Sequence, residues 1–409
     1  MRDALALPLR QLKELRTKVT KESIKDFLLS IPRTPFNVFS AVILALGCLV
    51  TLLRFTAGLG FVTNLDDNTP WGVWNPFKIA GVALSACGYC ACAAYYIFGL
   101  KHYKAVVRPA ITCAFLGYLI AMVGMLHYDV GQPWRLVFPI VISQGTTSIL
   151  FEVGVCVFLY LCVLFAEWTP AAFEWLGWDK IRAFVIKITL PMTIFGIILS
   201  TMHQSSLGAL ILTSPGKLHP LWYSAYIPVF FFISSMFAGL SMVVVEGVLS
   251  SRWQRNATDE AYLNSLDGVA LSSARGCSLI MIGYLCIRVF DLAMSNSWAY
   301  FSTGYGALCL LELIGFVLAP AILYAAGARE KRIGLIKLAA FWTVAGVILN
   351  RFIIYLFALN WQLPPDERYS PSAMEIILLL FIVVLIITVY RVICWLMPVL
   401  RGHSGYADH

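Results

Sequence analysis

Residues 127–152 read HYDVGQPWRLVFPIVISQGTTSILFE. The stretch closes one apolar run with His127 and Asp129, crosses a Gly/Pro-containing loop with Trp134 and Arg135, and enters a second apolar run at Ser148. Glu152 falls about one helical turn inside that second run. The pattern is a helical hairpin with its polar residues gathered at one end of two apolar helices. A carboxylate at such a depth costs roughly 3 kcal/mol or more in hydrocarbon, so Glu152 implies a protein or water environment.

Apolar runs of this kind continue in both directions. Hydrophobic residues make up 60% of the 409, charged residues 13%, and the mean hydropathy is +0.79. A soluble surface needs more charge, so the soluble globular classes are excluded. We place spans at 36–56, 73–99, 106–128, 145–166, 183–203, 222–249, 272–294, 303–327, 333–357 and 373–397, each long enough to cross a bilayer as a helix. The expected class is an all-α polytopic membrane protein of about ten transmembrane helices, with both termini on one side. Its expected parts are an amphipathic N-terminal segment (1–35), a membrane domain (36–397) and a tail (398–409). The longest inner loop, around 250–271, is too short for a soluble domain.

The net charge of +8 does not point to nucleic acid, because of where the basic residues lie. Eight of them precede the first span, interleaved with acidic residues and leucines, as in a helix lying on an anionic membrane surface or a tail that fixes topology. Across the loops and the span ends beside them, nineteen basic residues fall on the side of the termini, and three (Arg135, Lys217, Arg368) on the other. The positive-inside rule then places both termini in the cytoplasm of a multi-pass inner-membrane protein. The opposite side receives Asp66, Asp67, Trp71, Trp74, Asp129, the end of the fifth span at His203, and His219. Eleven cysteines all fall within spans, and CGYCAC at 87–92 lacks the spacing of an iron–sulfur site. Close helix packing is their expected role, with no metal bound.

Charged residues within the spans select the candidate chemistry. Lys187, Glu246, Arg275, Lys337 and Arg391 lie near span ends, where snorkelling to the headgroups is the expectation. Glu152, Arg288, Glu312 and Arg351 lie deeper and are candidates for a proton pathway, with structural ion pairing the competing role for the last three. A quinone site needs an apolar slot, a hydrogen-bond donor for each carbonyl and a proton supply. Asp129, Glu152 and His203 are the expected catalytic set. Lys78, Arg54, Trp71 and Trp74 join Asp129 and His203 as candidate binding residues at one membrane depth. Two-histidine haem ligation across the bilayer has no histidine to use at the inner face, although a single outer haem through His127 and His203 stays open.

The stretches GLGFVTNLDDNTPWGVWNPF (58–77), VRPA (107–110), DVGQPWR (129–135), SILFEVGVC (148–156), TMHQSSLG (201–208) and HPLW (219–222) resemble the NrfD-like membrane subunits, and within them the longer HybB-like branch. The match covers the first six spans and loosens beyond about residue 250. The resemblance implies two four-helix bundles plus flanking helices, and a haem-free, quinone-reactive subunit of a respiratory oxidoreductase complex, inactive alone. It further implies a periplasmic iron–sulfur partner, with hydrogenase, cytochrome or molybdopterin-type proteins beyond it, and menaquinone as the quinone of anaerobic respiration. It assigns proton handling to Glu152. The expected function is electron transfer from that partner to menaquinone with associated proton transfer. A haem-bearing anchor and a secondary transporter are the alternatives.

Overall fold

A computed structural model describes residues 33–401. The N-terminal amphipathic segment and most of the tail, with His403 and His409, lie outside the described residues. Among the described residues ten helices are long and apolar enough to span a membrane: α1 (Pro35–Ala57), α2 (Trp74–Ile97), α3 (Lys101–Asp129), α4 (Ile149–Leu176), α5 (Asp179–Leu212), α6 (Ile227–Trp253), α7 (Glu260–Met294), α8 (Gly304–Glu330), α9 (Ile333–Phe357) and α10 (Ala373–Leu396). The expected all-α, polytopic class and number of spans are both met. Ten successive crossings leave residues 33 and 401 at one face, called here the terminal face; the other is the far face.

Local sequence sets the starts of several helices. Thr34 accepts the Asn37 amide ahead of Pro35, and Asp259 accepts the Tyr262 amide ahead of α7. Ser372 and Glu375 form a reciprocal capping box that opens α10. Gly177, at φ 74°, closes α4 in the left-handed conformation that a side chain would disfavour.

The helices pack as two four-membered rings. In one, α2, α3, α4 and α5 each touch the next, and α5 returns to α2; in the other, α6, α7, α8 and α9 close in the same way. The hinge between rings is α6, which packs on α2, α3 and α5, while α9 also touches α2. Gly239 makes that approach possible, since a Cβ there would stand 2.7 Å from the Ala86 backbone. The flanking pair α1 and α10 packs together and lies against the first ring, with Ile43, Val50, Leu378, Phe381 and Ile382 in its core.

Three expectations are corrected. The fifth span does not stop at His203: α5 runs on to Leu212, because Gln204, Ser206 and Gly208 face packed neighbours and not water. The inner loop at 250–271 is mostly helix, since the Asp259 cap starts α7 at Glu260. Glu246 does not snorkel. It is 3% exposed and accepts hydrogen bonds from Tyr390 (2.5 Å), Ser250 (2.6 Å) and Tyr262 (3.3 Å), partners that no one-helix pattern reveals. The cysteines of CGYCAC are buried as expected, and the thiols of Cys87 and Cys90 donate to carbonyls of Ala110 and Met236 on neighbouring helices.

Candidate functional site

Loops meet at the far face to enclose a chamber of about 920 Å³, lined by residues of 69–71, 214–219, 300–308 and 355–371. Backbone bonds hold its wall together. The His219 amide donates to the Ala358 carbonyl (2.9 Å), and the Asn360 amide donates to the Lys217 carbonyl (2.7 Å). Asn360 takes a left-handed φ of 55°, which asparagine tolerates, and its side chain donates to the Asn68 carbonyl. Asp66 accepts both the amide and the hydroxyl of Thr69 at 2.6 Å, and these bonds hold its carboxyl below the ordinary range. On the other side of the chamber, Tyr369 donates to Glu375 (2.5 Å) and accepts the Val73 amide (3.0 Å). Burial, with that carboxylate beside it, pushes the Tyr369 phenol up.

His219 is enclosed by aromatic rings. Tyr305 stacks on it at 4.3 Å, and Trp361, Tyr300 and Trp222 stand edge-on at 4.7, 5.0 and 5.7 Å between centroids. Removal from water pushes its imidazole from 6.5 down to about 4, so the ring is neutral at pH 7. The Leu221 amide donates to Nδ1 at 3.2 Å, which assigns the remaining ring proton to Nε2. A neutral imidazole with a defined Nε2–H is a hydrogen-bond donor for a ligand oxygen in the chamber.

Directly beneath lies a buried charged network. Trp222 Nε1 donates to Glu312 (2.8 Å), whose second oxygen accepts from Asn350 (2.7 Å). Arg351 donates to Asn350 and to Ser234 and lies 3.8 Å from the centre of the Phe231 ring. Arg288 pairs with Asp291 (2.8 Å) and also donates to the Leu221 carbonyl, while Ser224 donates to Asp291 (2.5 Å). Leu221 therefore touches His219 through its amide and Arg288 through its carbonyl. Arg288, Glu312 and Arg351 come together as one group, with two cations balanced by two carboxylates, the arrangement that buried charge requires.

The remaining expected residues divide into separate places. Lys78 pairs with Asp129, and Arg54 donates to the carbonyls of Tyr128 and Val130 at 2.8 Å each, capping the far-face end of α3. Trp74 belongs to this group through Tyr128, and its indole donates to the Glu375 carbonyl (3.0 Å). Trp71 lines the chamber and packs beside Tyr355. Glu152 sits in the first turn of α4, exposed, and accepts the Ser206 hydroxyl at 2.5 Å. His203 is fully buried, roughly 13 Å below the end of α5 at the helical rise per residue. Its ring packs against Tyr118, and among the described residues neither ring nitrogen has a hydrogen-bond partner. His127 Nδ1 is within 2.7 Å of the Val123 carbonyl of its own helix. The expected single-depth cluster is thus three groups: the end of α3, the outer turn of α4, and the middle of α5.

Sequence reasoning placed His219 on this side without giving it a role, and assigned nothing to Asp291, Tyr300, Tyr305, Asn350 or Trp361. The motif HPLW (219–222) was the available signal, since it holds both the ring facing the chamber and the indole that touches Glu312. Among the described residues no group of three or more His, Cys, Asp or Glu is placed to hold a metal ion.

These features define a class: a polytopic helical membrane protein with an aromatic chamber at one face and a charge-balanced network beneath it. The family model for polysulphide reductase, NrfD, matches residues 61–361, and the chain belongs to that family. It is 56% identical over 376 residues to a protein of Nitratidesulfovibrio vulgaris (strain Hildenborough), covering 92% of this chain and 97% of that one. It is 30% identical over 375 residues to the probable Ni/Fe-hydrogenase 2 b-type cytochrome subunit of Escherichia coli K12, covering 90% and 92%. It is 29% identical over 343 residues to the menaquinone reductase integral membrane subunit of the same N. vulgaris strain, covering 78% and 80%. Two of these relatives are thus named as subunits, one of a Ni/Fe-hydrogenase and one of a menaquinone reductase.

Proposed function

We propose that this chain is the quinone-reactive subunit of a respiratory oxidoreductase in a bacterial inner membrane, and that the far-face chamber receives the quinone headgroup. The carrying observation is His219: a neutral imidazole, its Nε2–H assigned by the Leu221 amide, inside an aromatic chamber large enough for a fused-ring quinone. The relatives named for menaquinone reductase and hydrogenase support a naphthoquinone and redox partner subunits. The excess of basic residues on the terminal face supports cytoplasmic termini and a periplasmic chamber.

In this reading His219 Nε2 donates to one quinone carbonyl, the Tyr305 and Trp361 rings flank the headgroup, and Trp71 and Tyr355 form the opposite wall. Interconversion of quinone and quinol moves two electrons and two protons. The electrons pass to or from a partner iron–sulfur subunit docked over the far face. Glu312, held by Trp222 and Asn350 under the floor, is the proton-exchanging carboxylate that serves the site, with Arg351 and Arg288 setting its surroundings. Glu152 with Ser206, and Lys78 with Asp129 and Arg54, form a second polar group in the first ring, for which a proton-handling role is retained; His203, the third member of the expected catalytic set, is kept as a proton-exchanging candidate buried in that same ring.

The test uses the complex purified with its native partners. His219→Gln is expected to cut turnover with a naphthoquinone by at least about tenfold while subunit composition stays unchanged. Unchanged turnover would remove His219 and the chamber from the reaction. A visible spectrum of the same preparation distinguishes the haem alternative, which requires a Soret band assigned to this chain.

A further inference from the structure

We infer that the chamber is loaded sideways from the bilayer, through the seam between the far-face ends of α8 and α9, with Phe357 as its boundary residue. The inference rests on the quinone reading above and adds a ligand class and a route: a lipid-dissolved quinone whose polyisoprenoid tail stays in the seam while its headgroup enters.

Deeper in the bilayer α8 and α9 are in close contact. Phe316 and Trp342 pack at 6.5 Å between ring centroids, and a Cβ on Gly346 would stand 2.9 Å from Phe316. At the far-face end the same helices part around the chamber, which takes Gly304 and Leu308 from α8 and Tyr355, Leu356 and Phe357 from α9. A π-helical turn over Ile353–Phe357 ends α9, closed by the Ala358 amide donating to the Ile353 carbonyl at 2.8 Å. That wider turn carries one extra residue and shifts the register of the side chains. Tyr355 is thereby buried at 3% exposure, while Phe357, also in the chamber lining, is 55% exposed. An exposed aromatic residue at the end of a membrane-spanning helix therefore forms part of the chamber lining.

The seam is also thin on the α8 side. Gly304 is exposed, and a Cβ built on it meets no atom of the described residues within 4 Å. Further down α8, Leu310, Leu311 and Ile314 present an exposed apolar strip. Away from the seam the lining brings in the polar side chains of Ser214, Lys217, Asn360 and Arg368, beside Pro70, Leu363 and Pro371. The charged and amide side chains lie away from the seam, where they suit water, protons and a docked partner. The apolar seam suits a hydrocarbon chain, which gains about 0.8 kcal/mol for each CH₂ kept from water.

Two variants narrow the seam from opposite sides: Gly304→Leu, where added atoms meet open space, and Phe357→Trp. Each is purified as the whole complex and assayed with menaquinone and with 2,3-dimethyl-1,4-naphthoquinone, which has the headgroup without the tail. The measured quantity is the ratio of turnover with the tailed acceptor to turnover with the tail-less one. Sideways loading predicts that this ratio falls about tenfold in both variants, as entry of the tailed ligand slows. A ratio equal to that of the wild type, whether both rates drop together or neither does, overturns the route while leaving the chamber as the quinone site. A wild-type complex that turns over neither acceptor overturns the quinone reading and the route with it.

Discussion

At the scale of single residues, the chemistry turns on how two ordinary side chains are surrounded. Aromatic packing removes His219 from water and drives its pKa to about 4. Because this folded value lies below the unfolded 6.5, stability is unaffected above pH 6.5 and is lost as pH falls from 6.5 towards 4, where the unfolded chain binds a proton that the folded ring refuses. Turnover is therefore expected to show no inflection from His219 between pH 6 and 8, and thermal unfolding of the complex is expected to ease below about pH 6. His219→Gln should flatten the second dependence, as read from melting temperatures at pH 5 and 7. Glu312 is the other case. Removing its charge leaves Arg351 buried against a neutral group, which costs roughly 3 kcal/mol or more. Glu312→Gln should reduce both turnover and the yield of assembled complex. Glu152→Gln, on an exposed first turn, should leave assembly intact and lower turnover only. Normal turnover in Glu152→Gln would take that carboxylate out of the mechanism.

At the scale of elements, four helices depart from α-helical spacing, three of them at or beside residues of the candidate site. π-helical turns occur at Ala93–Ile97, Tyr118–Gly124, Leu311–Leu318 and Ile353–Phe357. They contain Tyr118 beside His203, Glu312 of the buried network, and Tyr355 in the chamber wall. An apolar pattern counted at 3.6 residues per turn carries no mark of such a turn, so the side to which each of these residues points was not legible in the sequence. Gly208 and Gly239 are a different kind of feature, positions where two helix backbones touch. Gly239→Val would force its side chain into the Ala86 backbone and separate the two rings. The expected cost is about 2 kcal/mol or more, measured as a lower melting temperature of the detergent-solubilised complex. Gly304→Val, with space around its Cβ, should leave that temperature unchanged.

At the scale of the whole molecule, ten spans and the lopsided basic residues give a topology that can be checked without a functional assay. A membrane-impermeant maleimide applied to intact spheroplasts should label Lys217→Cys and not Arg332→Cys, because all native cysteines lie within the membrane-spanning helices. The reverse pattern would put the chamber in the cytoplasm and invert the proposed direction of partner docking.

The amino-acid sequence by itself determined the all-α class, the ten spans, the side bearing the positive loops and the likeness to the NrfD-like subunits. Hydrophobic length, charge placement and short motifs are written along the chain, and each acts through one segment at a time. The sequence also picked out Arg288, Glu312 and Arg351 as costly charges, since that cost depends on depth alone. Tertiary structure alone decided which of them meet. Arg288 reaches the Leu221 carbonyl across 67 positions and Trp222 reaches Glu312 across 90, while Glu152 and His203, placed together by depth, fall into different surroundings. Depth along one helix is a property of its own residues, whereas the direction a side chain faces depends on helix rotation, π turns and ring closure. Those are set by packing between distant segments, and so the chamber around His219 emerged only when the chain was folded.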